Sequence, residues 1–135
     1  DMQRILIPIL LAGSAAAGAA TPQQLMQDYT EQAVRQAPGY QPSARRGAEL
    51  YSRRFAVSEK MPACTACHTD APAQAGRHVV TGKAIKPLAP RAEAARFTDP
   101  AKTEKWFRRN CTEVLGRECS AAEKADFILF LTEGL

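Results

Sequence analysis

The chain has 135 residues, enough for one domain with a modest core and too few for a second. Its formal net charge of +4 comes from 18 Lys and Arg against 14 Asp and Glu. These charges are spread without a long basic block, so no nucleic-acid footprint is implied.

Residues 1–20 have the order of a secretory leader: Arg4, an apolar run from Ile5 to Leu11 that contains Pro8, then small residues up to Ala20. The run is far shorter than the roughly 20 residues of a spanning helix, which argues against a stable membrane anchor. Cleavage near Ala20 or Thr21 leaves 21–135 as the mature domain, its charge unchanged because Asp1 and Arg4 cancel. Export to a periplasm or similar oxidising compartment also suits four cysteines, since spare thiols pair there.

Thr21-Pro22 opens a helix, with Thr21 as N-cap and Pro22 in the first turn. Leu25, Met26, Tyr29 and Ala33 follow at helical spacing, and Pro38-Gly39 ends the run. A second helix starts after Ser43: Gly47, Leu50, Tyr51 and Phe55 share one face, while Arg45, Arg46, Arg53 and Arg54 lie mostly elsewhere. Residues 69–97, rich in Ala, Gly and Pro, read as a wrapping loop with short helical turns.

Thr98-Asp99-Pro100 opens another helix, expected to reach Asn110 or Cys111. Ser120 and Glu123 form a capping box ahead of Phe127-Ile128-Leu129-Phe130-Leu131, and Gly134 suits the stop. This last helix is apolar nearly all round and should be buried. No strand pattern of useful length and no repeat is present, so the fold class is all-α.

The chemistry sits in Cys64-Thr65-Ala66-Cys67-His68. Two thiols at this spacing can form thioethers with haem vinyl groups, and the imidazole that follows can reach the iron. The alternatives are a disulfide, half of a zinc site or a thioredoxin-like pair. Zinc needs a second ligand pair, yet Cys111 and Cys119 stand eight apart; a thioredoxin-like pair needs βαβ patterning, which is absent. One covalently attached haem c, held by Cys64 and Cys67 with His68 on the iron, is the reading these residues favour.

A second axial ligand is harder to assign. Met2, Met26 and Met61 all precede the motif, so the methionine that usually serves small electron-carrying cytochromes is missing from the later chain. His78, Asn110, a lysine or no residue at all remain. On a helical wheel from Pro100, Asn110 falls between Thr103 and Trp106 with Phe107 on the same side, and Lys102, Glu104, Lys105, Arg108 and Arg109 take the opposite arc. Asn110 is therefore either a polar group on the inward face or a C-terminal cap. A Cys111–Cys119 bridge would close the link between the last two helices and fix the segment that carries Asn110; chain entropy assigns such a loop roughly 2.5 kcal/mol.

Beyond the haem motif, Thr81-Gly82-Lys83, Pro87-Leu88-Ala89-Pro90, Arg96-Phe97-Thr98-Asp99, Asn110-Cys111 and Cys119-Ser120 with Glu123-Lys124 give nearly all of the mature chain one resemblance. It resembles the oxygen-binding cytochromes of the sphaeroides haem protein and cytochrome c″ family. That resemblance implies a class I cytochrome c fold with an additional N-terminal helix, His68 as proximal ligand, Cys64 and Cys67 as thioether sites, and a Cys111–Cys119 disulfide. It further implies a distal ligand directly before Cys111. Cytochrome c″ has histidine there and the oxygen-binding members have asparagine, so Asn110 aligns with the oxygen-binding branch; His78 has no assigned counterpart.

The function implied is a haem whose Asn110 ligand detaches on reduction and opens the site to O₂, NO or CO, with Trp106 and Phe107 keeping the pocket apolar. Electrons would pass to or from a redox partner, another cytochrome being the expected one. Redox turnover of O₂ or NO, a plain six-coordinate electron carrier, and a haem-based gas or redox sensor are the competing expectations.

Overall fold

The computed structural model describes residues 18–135, so nearly all of the expected leader lies outside the described residues. Five helices and one minute hairpin follow in order: α1 (Pro22–Gln36), α2 (Ala44–Ser52), α3 (Thr65–His68), β1 (Gly76–Arg77), β2 (Ala84–Ile85), α4 (Pro100–Leu115) and α5 (Ala121–Glu133). None of the described helices is long and apolar enough to cross a membrane.

The helix starts are chemical. Thr21 Oγ1 accepts from Gln24 N at 3.1 Å while Gln24 Oε1 accepts from Thr21 N at 2.9 Å, a reciprocal cap at the head of α1. Ser43 and Asp99 cap α2 and α4 through Arg46 N and Lys102 N. Ser120 and Glu123 close the expected box at α5, with bonds of 2.8 and 3.1 Å.

One boundary differs from expectation. Helix α4 runs to Leu115, where Gly116 takes the left-handed conformation at φ 72° that lets a chain leave a helix. Asn110 is thus an interior residue of α4, and its reading as a C-terminal cap is corrected.

Helix α5 is the centre of the molecule: Ala125 and Ile128 are fully buried, Leu131 nearly so, and no residue of 121–131 is exposed. Helices α1 and α2 pack against it. The α2–α5 crossing is so close that a β-carbon on Gly47 would overlap the carbonyl of Asp126 and the Cβ of Phe130. Asp126, buried within an otherwise apolar run, receives Ser43 N at 2.7 Å, Tyr40 Oη at 2.6 Å and Arg46 Nε at 2.8 Å. Every one of these donors comes from α2 or the segment leading into it, so the carboxylate fixes both the register and the angle of the crossing.

Helix α4 joins the core through Phe107. Its ring meets Tyr29 of α1 and Phe127 of α5, each at 5.8 Å between centroids, and stacks on Phe97 at 6.5 Å. Such pairs add about 0.5–1.5 kcal/mol each beyond area burial. Behind them, Glu104 accepts from Tyr29 Oη at 2.6 Å and from Lys124 Nζ at 2.8 Å.

The wrapping loop has the expected short turns, with Glu93 N bonded to Ala89 O and Arg96 N to Glu93 O, both at 3.0 Å. It also holds the β1–β2 pair, which the sequence does not announce: two residues per strand are too few for alternation to register.

Gly47→Ala should lower unfolding stability by about 2 kcal/mol, because the new methyl meets backbone that cannot yield. Urea denaturation reads this as a lower midpoint at unchanged slope; a wild-type midpoint would contradict the close crossing.

Candidate functional site

The five motif residues occupy α3 and the residue before it. Residue His68 N bonds Cys64 O at 3.1 Å and Thr69 N bonds Thr65 O at 3.0 Å, so one helical turn presents Cys64, Cys67 and His68 together. The two thiols are not paired with each other. Burial pushes the Cys64 thiol up to about 11. The His68 imidazole goes the other way, down to about 4, through burial first and then the positive charge of Arg96. It is therefore held neutral, the form that offers a lone pair to a metal.

Three neighbours shape this turn. From the hairpin side, Gly76 lies so close that a β-carbon there would overlap the Cys67 carbonyl, and Val79 N–H points at Cys67 Sγ from 3.3 Å. On the other side, Tyr51 donates its hydroxyl to Thr69 O at 2.6 Å and, less closely, to His68 O at 3.2 Å. Burial raises the Tyr51 phenol well above its usual range, so it stays a donor. Below, Arg96 donates to Pro87 O and Lys86 O, both at 2.7 Å, and Pro72 O collects Leu88 N and Ala89 N at 2.9 Å. Tyr51, Gly76 and Arg96 were not singled out for the site from sequence; Tyr51 had a signal only as a core position of α2.

His78 acquires a defined role. Its Nδ1 accepts from Val80 N at 3.2 Å and Thr81 N at 3.1 Å, closing the loop between β1 and β2. A neutral imidazole that accepts at Nδ1 carries its proton on Nε2, leaving no lone pair for a metal.

The disulfide Cys111–Cys119 is formed, with Cα atoms 5.6 Å apart. Both cysteines belong to a buried cluster with Leu50, Val114 and Leu115, against which Phe55 and Met61 pack. Those two residues lie on the segment that leads from α2 into the motif, so the bridge and the haem motif share one wall. A further contact comes from Val57, 3.2 Å from the position a Gly116 β-carbon would take.

On α4 the protein core takes one face of the helix and leaves another uncovered. Thr103, Cys111, Val114 and Leu115 are buried and Phe107 is in the core, whereas Trp106 is 38% exposed and Asn110 is exposed. The aromatic contacts of Phe107 set this, since turning Phe107 into the core places Trp106 about 100° and Asn110 about 60° away, on the open flank. There Lys105 and Arg109 lie over the Trp106 ring at 5.6 and 5.4 Å.

Two free thiols and a neutral imidazole on one turn, closed in by a glycine that admits no side chain, are a donor set that fits haem c. Val79, whose N–H faces Cys67 Sγ, leaves its apolar side chain exposed next to the motif. By contrast, no group of three or more His, Cys, Asp or Glu that could hold a metal ion occurs among the described residues.

Residues 37–131 match a family model described as "Domain of unknown function (DUF1924)". Cytochrome c″ of Methylophilus methylotrophus is 42% identical over 125 residues, covering 91% of this chain and 87% of that protein. The cytochrome c-type protein SHP of Cereibacter sphaeroides is 41% identical over 128 residues, covering 94% and 95%. Among solved structures, oxidized SHP, described as an oxygen binding cytochrome c, superposes with TM-score 0.77 at 40% identity over 85% of this chain and 98% of that one. Oxidized cytochrome c″ gives TM-score 0.77 at 42% identity over 83% and 93%.

Replacing both Cys111 and Cys119 by Ala should cost about 2.5 kcal/mol through chain entropy, with packing loss in addition. Chemical denaturation measures it, and dithiothreitol should lower the wild type but leave the double variant unmoved.

Proposed function

The chain belongs to the DUF1924 family together with cytochrome c″ and SHP, and on that premise we propose that it is an exported monohaem cytochrome c with a detachable Asn110 ligand. The all-α cytochrome fold is common ground with both relatives. In this reading residues 1–20 are a leader removed on the way to the periplasm, and 21–135 form the mature domain. The Cys111–Cys119 bridge supports an oxidising compartment.

When bound, haem c supplies an iron centre that exchanges one electron and takes diatomic gases. Cys64 and Cys67 would hold it through thioethers, and His68, already neutral, would bind its iron. Asn110 offers a carboxamide oxygen from the open flank of α4. An amide oxygen is a weak, hard donor, better matched to the ferric than to the ferrous charge, so Asn110 would withdraw on reduction. Trp106 stands one turn before it on the same flank, and Phe107 backs that flank from the core. Together they leave an apolar opening for O₂, NO or CO.

The disulfide beside residue 110 confines the movement to the side chain, since Cys111 is anchored in the core. A redox partner, most simply another cytochrome, exchanges the electron. The observation that carries this reading is the placement of Asn110 inside α4, exposed and not capping, directly before the bridged Cys111. A plain six-coordinate carrier would need another side-chain ligand, and His78 is engaged in closing its loop.

Absorption spectra of the reduced protein should show a high-spin haem that binds CO rapidly; a low-spin, CO-inert ferrous spectrum refutes detachment. Asn110→His should give a bis-histidine ferric spectrum and slow CO binding by about tenfold or more, the effect of roughly 1.4 kcal/mol added to the barrier. Cys64→Ala with Cys67→Ala should abolish retention of haem after acid–acetone extraction.

A further inference from the structure

We infer that Tyr51 is the positioning residue of the proximal side: it clamps a strained turn at Thr69 and thereby sets the place of His68. This rests on the haem reading above.

Thr69 directly follows His68 and ends α3 with φ 65° and ψ 175°. That corner of conformational space is essentially reserved for glycine, and a β-branched residue enters it only when its surroundings insist. The insistence has two sources. Thr69 Oγ1 bonds both ways to Ala71, accepting from its N–H and donating to its carbonyl at 3.2 Å each. The stronger hold is the Tyr51 hydroxyl, 2.6 Å from Thr69 O and 3.2 Å from His68 O, which takes carbonyls that a helix of one turn leaves without partners.

The clamp itself is rigid. Tyr51 is 2% exposed, and its ring sits against Phe127 and Phe130 of α5 at 6.1 and 5.6 Å between centroids. Its helix is locked to α5 by the Gly47 crossing and the Asp126 carboxylate. The position of the proximal histidine is thus referred to the α2–α5 pair, and the strain at Thr69 pulls on His68 against that hold. Releasing the hydroxyl lets Thr69 relax towards an ordinary extended conformation and carries His68 with it. A His68 held less firmly would bind the iron less strongly and so would favour release of Asn110 less.

The test compares the reduced full-length holoprotein as wild type, Tyr51→Phe, Thr69→Gly and the double variant. Two signals are read: the iron–histidine stretching band by resonance Raman and the CO association rate. Tyr51→Phe keeps the ring packing, yet it should lower the band and slow CO binding by about tenfold. In the Thr69→Gly background, where glycine holds the turn without strain, the same loss of hydroxyl should move both signals far less. Thr69→Val, which keeps the β-branch but removes the bonds to Ala71, should shift them in the direction of Tyr51→Phe and reports on the turn even if that variant fails to fold.

Unchanged band and rate in Tyr51→Phe, or an equal effect in both backgrounds, would overturn the clamp while the wild-type spectrum still upheld the haem reading. A wild type with no iron–histidine band would overturn both.

Discussion

The side of the Cys64–His68 turn that meets α2 is referred to one buried carboxylate. Asp126 lies in the most apolar stretch of the chain and gathers a backbone amide, a phenol and a guanidinium from the segment that contains the start of α2. A lone carboxylate in such a place would cost several kcal/mol; satisfied by three donors, it becomes the pin that decides how two helices cross. Arg46, half exposed to water, brings only a modest Coulombic share, so the specificity of the arrangement matters more than the ion pair itself.

From that pin the consequences run outward along α2. Gly47 allows the backbones to meet, Leu50 reaches the disulfide cluster, and Tyr51 reaches the carbonyls beyond His68. One nine-residue helix therefore serves both the bridged wall and the proximal turn. Leu50 and Tyr51 are adjacent in sequence and face the two parts of the site separately, which is why a short α2 suffices.

Much of this was legible in the sequence. The caps at Thr21, Ser43, Asp99 and Ser120 announce themselves because they are local chemistry, as does the C-x-x-C-H motif. The reach of α4 was misjudged because its middle carries Asn110 and a cysteine, whereas the true stop is a single glycine, Gly116, five residues past Cys111. Which of two adjacent aromatics enters the protein core is a different matter: a wheel weighs Trp106 and Phe107 alike, and only the rings of Tyr29, Phe97 and Phe127 choose between them. Asp126, Arg96 and the hydroxyl of Tyr51 act through partners 9 to 86 residues away, and no local pattern encodes such a distance.

Phe107 belongs to both hydrophobic clusters, the one around Leu25 and Ile128 and the one around the disulfide. The two halves of the interior therefore have no seam between them along which one could open alone. Hydrogen exchange in α1 and in the bridged end of α4 should then share a single opening free energy, and paired substitutions across Phe107 should be non-additive. The interior is thus a core that melts as one body.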